Sequence, residues 1–164
     1  MTCTKSELLK RVLNRRSFAG LMDLYEINYR LLQRLVPTPD ELHGRAVSRA
    51  SGSPDLYLLV EERCRFTTML HLTYFFADAQ GACVADPDLQ IRLYHDARQA
   101  EAVACRRVGQ WGEGDYDALL AHKWDRNLFL EKWLRYTLGL GHYFDRGSTD
   151  GAAASATTES LAAS

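Results

Sequence analysis

Residues 88–102, Asp88-Leu-Gln-Ile-Arg-Leu-Tyr-His-Asp-Ala-Arg-Gln-Ala-Glu-Ala102, have the pattern of two β-strands joined by a turn. Apolar and polar side chains alternate along the first half, as they do in a strand with one buried face. We expect the chain to turn at His95-Asp96, which places Ile91 opposite Ala100 on a shared apolar face. The stretch therefore predicts an antiparallel hairpin at the centre of the fold.

The other face of this hairpin is polar, because it carries Arg92, Gln99 and Glu101. Arg92 and Glu101 are expected to be diagonal neighbours across the two strands. A surface ion pair between them would contribute roughly 0–1 kcal/mol. The apolar face is needed for the core, so the polar face is the one available for function.

Three earlier segments are predicted to be strands, and the third is rich in the aromatic and β-branched residues that favour strands. They are Ala46–Ala50, Leu56–Val60 and Phe66–Phe76. Residues 51–54 and 61–65 are predicted to be turns, and residues 77–87 a loop that leads into the central hairpin. Connections this short favour an antiparallel meander. In the third strand, the more polar face is expected to carry Arg65, Thr67, Met69, His71 and Thr73.

A helix is predicted before the strands. Ser17 can cap a helix that runs to about Leu35, where Pro37 and Pro39 prevent its continuation. Asn28 interrupts the apolar stripe of this helix. A buried amide must find hydrogen-bond partners, so we expect Asn28 to contact the backbone of a neighbouring element.

A second long helix is predicted after the strands, beginning near Asp125 and ending at Gly139 and Gly141. Its wide apolar stripe is expected to pack on one face of the sheet. The stripe consists of Leu130, Trp133, Leu134, Thr137 and Leu138. The predicted fold class is α+β: an antiparallel sheet of about five strands in meander order, with N-terminal helices and a C-terminal helix packed on one face.

The chain is expected to form one domain with an extension at each end. Residues 1–16 are a basic, amphipathic segment, which we expect to be a short solvated helix or a frayed terminus; the alternative is an arm that binds a partner or a phosphate. Residues 17–146 form the α+β domain. Residues 147–164 are rich in Ala, Ser and Thr and have too little apolar mass to fold, so they are predicted to be disordered. With 164 residues, the chain can bury about two-thirds of its unfolded surface without a metal or disulfides.

The charge balance disfavours two classes of partner. Lys and Arg total 20 against 21 for Asp and Glu, so a net charge of -1 gives no overall attraction to nucleic acid or to an acidic membrane. No apolar run approaches the ~20 residues that cross a bilayer, and the N-terminus lacks the pattern of a secretory signal. We expect a cytoplasmic protein, with its four cysteines reduced.

Four short blocks occur in order along the chain. They are Met22-x-Leu-x-Glu-x-Asn28 leading to Leu35-x-Pro37, Arg65-Phe-Thr-Thr68, Ile91-Arg-Leu-Tyr-His-Asp-Ala97 followed by Ala100-Glu101, and Asn127-x-Phe-Leu-x-x-Trp-Leu-Arg-Tyr136. Together they resemble the YqiB-like family, a bacterial domain of unknown function, over about residues 17–142. The resemblance implies no assigned activity. Genes of this family lie near genes of nucleotide turnover, for a cyclic-AMP phosphodiesterase and an ADP-ribose pyrophosphatase, which points to nucleotides as candidate ligands.

Short catalytic signatures are absent from the sequence, which has no phosphate loop, nucleophile elbow or dinucleotide fingerprint. The possible metal ligands His43, His71, His122 and Glu101 are not spaced three or four residues from one another, so we expect no metal and no cofactor. His95-Asp96 has three interpretations. Asp96 can bond nearby amides in a turn, the pair can contact a ligand, or imidazole and carboxylate can serve in catalysis.

The polar sheet face is the preferred candidate site. Arginine side chains there can bind a phosphate or a carboxylate through two parallel hydrogen bonds. The alternative is an ordinary solvated face, which antiparallel sheets often have. The candidate ligand-binding residues are Arg65, Thr67, Arg92, Tyr94, His95, Asp96 and Glu101.

The sequence thus favours a non-catalytic module that binds a small anionic ligand, with nucleotides among the candidates, or a protein partner in a regulatory role. The first alternative is an enzyme that acts on a nucleotide or phosphate ester through His95 and Asp96. The second is a structural homo-oligomer joined through an edge strand or through the helix that starts after Ser17. No membrane partner is expected, and nucleic acid is not favoured.

Overall fold

The computed structural model describes residues 16–106 and 116–148, which form a five-stranded antiparallel sheet and two long helices. The elements in chain order are α1 (Phe18–Leu35), β1 (Arg45–Ser48), β2 (Leu56–Arg63), β3 (Thr67–Ala77), β4 (Cys83–Tyr94), β5 (Gln99–Arg106) and α2 (Tyr116–Gly139), with short 3-10 helices at Pro39–Glu41 and Arg146–Ser148. The strand order β1-β2-β3-β4-β5 confirms the predicted meander and the α+β class.

Helix α1 forms as predicted. The Ser17 hydroxyl accepts a hydrogen bond from the amide of Gly20 at 3.1 Å, which caps the first turn. Every residue of the predicted stripe is buried, namely Leu21, Leu24, Asn28, Leu31 and Leu35. Asn28 is fully buried, and its Nδ2 donates to the backbone oxygen of Asn127 at 3.1 Å, so the expected contact with a neighbouring backbone is confirmed.

The main core lies between the helices and one face of the sheet. Leucine side chains of β2, β3 and β4 pack there against residues of α1 and α2, including Leu32, Leu134 and Trp133. Burying a side chain of this kind stabilises the fold by about 1.5–3 kcal/mol. A smaller cluster of Leu21, Leu24, Tyr25 and Trp124 joins the two helices to each other. None of the described helices is long and apolar enough to cross a membrane.

Side chains of α2 occupy the free edge of β5. Asn127 Oδ1 accepts from the amide of Ala102 at 2.8 Å, and Arg126 Nη1 donates to the oxygen of Val103 at 3.0 Å. Edge strands otherwise present unpaired backbone groups that can pair with another chain. The opposite edge belongs to β1, which is only four residues long.

The predicted register of the central hairpin is wrong by two residues. Ile91 lies opposite Ala102, and Leu93 lies opposite Ala100. The turn takes up all four residues from His95 to Arg98, and Arg98 adopts a left-handed conformation with φ 54°. A shift of two keeps each side chain on its predicted face, because side chains alternate with a period of two.

Two predicted connections belong to strands. Residues 61–63 extend β2, since a bulge between Val60 and Glu62 lets the pairing with β3 continue. Residues 83–87 belong to β4, so the predicted loop is only the connection from Asp78 to Ala82. Pro87 fits because the pairing of β3 and β4 shifts there, and proline cannot donate a ladder hydrogen bond.

Helix α2 begins nine residues earlier than predicted, at Tyr116 instead of Asp125. Its early turns pack on α1: Trp124 is fully buried and its Nε1 donates to the oxygen of Ser17 at 3.1 Å. Asp125 is not the cap, because it lies within the helix and forms an ion pair with Arg16 at 3.2 Å. The predicted apolar stripe and the end at Gly139 are confirmed.

The predicted extensions fall largely outside the described residues. Residues 1–15 and 149–164 are not described. Gly147 and Ser148, which begin the predicted tail, belong to the last 3-10 helix.

Replacing Asn127 with leucine is expected to lower the free energy of unfolding by about 2–3 kcal/mol, because the buried amide of Ala102 loses its acceptor. Urea denaturation measures this difference. Lys132→Ala, at an exposed position of the same helix, is the control and should change stability by no more than about 0.5 kcal/mol. Equal stability of Asn127→Leu and the parent protein would contradict the role of this amide.

His142 gives the fold a dependence on pH. It is buried, its two ring nitrogens lie 3.1 and 3.0 Å from the hydroxyls of Ser48 and Ser53, and burial lowers its pKa from 6.5. Below about pH 6.5 His142 therefore binds a proton more readily in the unfolded chain than in the folded chain. Its contribution to the free energy of unfolding is fully present at higher pH and is lost as the pH falls.

The parent protein should consequently lose stability between about pH 7 and pH 5 more steeply than His142→Asn, by at most about 1.4 kcal/mol per pH unit. Urea unfolding at a series of pH values tests this. Gln33→Ala, at an exposed position without a titratable group, should retain the slope of the parent protein. Identical slopes for His142→Asn and the parent would show that His142 titrates equally in both states.

Candidate ligand-binding site on the open sheet face

The sheet face that the helices leave open holds a cavity of about 300 Å³. Three of its lining residues, Thr67, Arg92 and Tyr94, are candidates from the sequence. The other three are Glu62, Cys64 and Met69. The cavity therefore combines one guanidinium group with two hydroxyls, a carboxylate and two sulfur-containing side chains.

Strand pairing brings these residues together. Thr67 of β3 lies opposite Tyr94 of β4, and Met69 lies opposite Arg92. On its other side Met69 lies opposite Glu62, because the bulge in β2 moves Glu62 onto this row. Side chains that are directly opposite in neighbouring strands stand about 5 Å apart on the same face. The register of three strands thus defines the cavity.

Among the described residues, Arg92 is the only cation that lines the cavity. Its contact with the Tyr94 hydroxyl, followed by the negative charges of Glu101 and Glu62, holds the pKa of the guanidinium above its ordinary value. Arg92 forms no ion pair with a carboxylate in the parts of the chain that the structure describes. Because a guanidinium has five N–H donors, Arg92 can hydrogen-bond a ligand while it keeps its contact with Tyr94.

Glu101 does not form the predicted ion pair with Arg92. The two residues are directly opposite instead of diagonal, and the oxygens of Glu101 accept from other donors. Oε1 accepts from Tyr25 and from Lys123, and Oε2 accepts from Tyr94, each at 3.1 Å. Glu101 is buried, it accepts a hydrogen bond from the Tyr94 hydroxyl, and it does not line the cavity.

Tyr25 donates to this carboxylate as a neutral hydroxyl. Burial, followed by the charge and hydrogen bond of Glu101, raises the pKa of Tyr25 well above its usual range. The hydroxyl therefore stays protonated at any ordinary pH, and the hydrogen bond to Glu101 persists.

The remaining three candidates lie outside the cavity. The guanidinium carbon of Arg65 lies 5.0 Å from the ring centre of Phe66. His95 Nε2 is 2.8 Å from the hydroxyl of Thr68, whereas Asp96 Oδ1 accepts from the amide of Ala97. The side chains of His95 and Asp96 thus bind different partners, and Asp96 has the expected turn contact.

A second polar cluster lies in the middle of the open face. His71 Nε2 is 2.8 Å from Glu61 Oε1, and His71 Nδ1 is 2.8 Å from Asp88 Oδ1. Gln90 donates to the other oxygen of Glu61. The two carboxylates contact opposite sides of the ring, so they do not converge on one point. Within the described ranges no group of His, Cys, Asp and Glu side chains is arranged to hold a metal ion.

Sequence reasoning missed Glu62 and Cys64 as residues of the cavity, because residues 61–65 were predicted to be a turn. The bulge that places Glu62 beside Met69 depends on the pairing of β2 with β3. Met69 was correctly predicted on the polar face. Its apolar side chain gave no reason to count it as a binding residue.

Comparison with known proteins identifies relatives of unknown function. Residues 31–143 match the family described as a protein of unknown function (DUF1249). The chain is 31% identical over 129 residues to the uncharacterized protein YqiB of Escherichia coli strain K12. The aligned region covers 76% of this chain and 90% of that protein. The YqiB proteins of E. coli O6:H1 and O157:H7 give the same values. No solved structure is significantly similar to the chain.

Proposed function

The chain belongs to the YqiB-like family of unknown function (DUF1249), and we propose that it is a non-catalytic module that binds a small anionic ligand at Arg92 on the open sheet face. The observation that carries the proposal is the guanidinium of Arg92, which has no carboxylate partner among the described residues and lies in a cavity of about 300 Å³. This volume lies at the lower end of the range for small-molecule sites, roughly 300–1,000 Å³.

The neighbours of Arg92 restrict the charge and shape of the ligand. Glu62 repels an anion from one side of the cavity, so the anionic group binds between Arg92 and the hydroxyl of Thr67. Phosphate and carboxylate groups match the planar donors of arginine. Met69 offers an apolar surface beside them, which suits a base or another organic group. A nucleotide or related phosphate ester fits these requirements.

The enzyme alternative has no comparable support. His95 and Asp96 bind different partners, and neither lines the cavity that contains Arg92. General acid–base catalysis requires the proton-transferring groups to lie within hydrogen-bond reach of the reacting atoms. We therefore assign Arg92 a role in binding and include no reaction in the proposal.

Arg92→Gln is expected to weaken binding of the best ligand by roughly tenfold to a hundredfold, because it removes charge-assisted hydrogen bonds. The ligand is first selected by thermal shift from inorganic phosphate, pyrophosphate, adenosine monophosphate and ADP-ribose, since binding to the folded state alone raises the melting temperature. Isothermal titration calorimetry then compares the parent protein with the variant.

Arg34→Gln is the matched control, because Arg34 is an exposed arginine of α1 and should leave the affinity unchanged. Tyr94→Phe removes one hydroxyl from the cavity and should weaken binding less than Arg92→Gln does. Unchanged affinity in Arg92→Gln, with the fold intact by circular dichroism, would contradict the assignment of this site.

A further inference from the structure

A second cavity, which we call the helix groove, lies where α1 and α2 meet β5. Its volume is about 240 Å³, and its walls are Phe18, Leu21, Met22, Leu119 and Leu120. Phe18 is 59% exposed and Leu119 is 50% exposed, so the apolar walls are accessible from solvent. The groove shares no lining residue with the cavity around Arg92.

The polar end of the helix groove consists of Tyr25, Glu101 and Lys123. Glu101 is only 7% exposed, and its oxygens accept from Tyr25, Tyr94 and Lys123. By contrast, the Lys123 side chain is 37% exposed. An ammonium group has three donors, and Glu101 is the one side chain that Lys123 bonds within the described residues. As far as the described residues are concerned, two donors of Lys123 therefore remain for a ligand.

We propose that the helix groove binds a short- to medium-chain carboxylate, with its apolar chain on the leucine and methionine walls and its head on Lys123 Nζ. The accessible charge in the groove is the ammonium, while the carboxylate beneath it is buried and already hydrogen-bonded, so the groove is complementary to an anionic head. A cationic head would meet Lys123 first and be repelled. The volume is below that of sites for drug-sized ligands, ~300–1,000 Å³, which restricts the apolar part to a short chain.

Three probes that share one alkyl chain and differ in the head group test the proposal: octanoate, octanol and octylamine. Each is titrated into the full-length protein by calorimetry. Octanoate is expected to bind, octanol to bind more weakly and octylamine not to bind. Lys123→Met should weaken the binding of octanoate roughly tenfold, because it removes a charge-assisted hydrogen bond. It should leave the affinity for octanol unchanged, because the apolar walls are retained. Lys132→Met, at an exposed lysine of the same helix, should behave as the parent protein.

Two further variants locate the binding. Met22→Trp fills the groove and should abolish binding of octanoate and octanol, whereas Arg92→Gln should leave both unchanged, since Arg92 lies in the other cavity. Lys123→Gln keeps a hydrogen bond to Glu101 without the charge and serves in place of Lys123→Met if that variant does not fold.

Equal affinity for octanoate and octanol, or no binding of octanoate, would overturn the proposal. Loss of octanoate binding in Arg92→Gln would indicate that the carboxylate binds on the open face instead. This result would overturn the proposal as well. Light scattering on the same samples tests a competing occupant: a dimer that Met22→Trp dissociates, without octanoate binding, would assign the groove to a second copy of the chain. None of these results depends on whether a phosphate ester binds at Arg92.

Discussion

The buried amide of Asn127 is the contact on which the arrangement of the helices and the sheet depends. Its Oδ1 accepts from Ala102 of β5, its Nδ2 donates to Lys123 of its own helix, and its backbone oxygen accepts from Asn28 of α1. Hydrophobic packing alone would tolerate sliding of a helix along a leucine-rich sheet face. Directional hydrogen bonds between buried groups fix one position, because a displaced helix would leave polar groups without partners.

This position also determines where the two cavities form. Glu101 precedes Ala102, so its side chain lies where the edge of the sheet meets both helices. One of its oxygens accepts from Tyr94, which lines the open-face cavity, and the other accepts from Tyr25 and Lys123 of the helix groove. A single buried carboxylate therefore supports a hydroxyl in one cavity and an ammonium in the other.

The sequence predicts well those features that depend on local periodicity and on capping. The Ser17 cap, the buried position of Asn28 and the polar face that carries Thr67 and Arg92 follow from spacing along one segment. The features that it predicts badly depend on pairing between segments. The bulge after Val60 and the four-residue turn after Tyr94 are set by neighbouring strands, and the early start of α2 reflects packing of Trp124 on α1.

The candidate site shows the same difference between features that depend on one segment and features that depend on pairing between segments. Alternation along β3 and β4 predicted Thr67, Arg92 and Tyr94, whereas Glu62 enters the cavity only through the bulge in β2. His95, Asp96 and Arg65 were attractive because of their chemistry, yet their side chains contact Thr68, Ala97 and Phe66 outside the cavity. Strand alternation therefore located the side chains of the cavity more reliably than residue type did.

The most direct test of the central claim is a titration of isotope-labelled protein with adenosine monophosphate, followed by amide chemical shifts in two-dimensional NMR spectra. Binding at the proposed site predicts that the largest changes occur at Thr67, Met69, Arg92 and Tyr94, in neighbouring strands of the open face. Largest changes in the turn from His95 to Arg98, or no changes with any of the phosphate compounds, would contradict a binding site centred on Arg92.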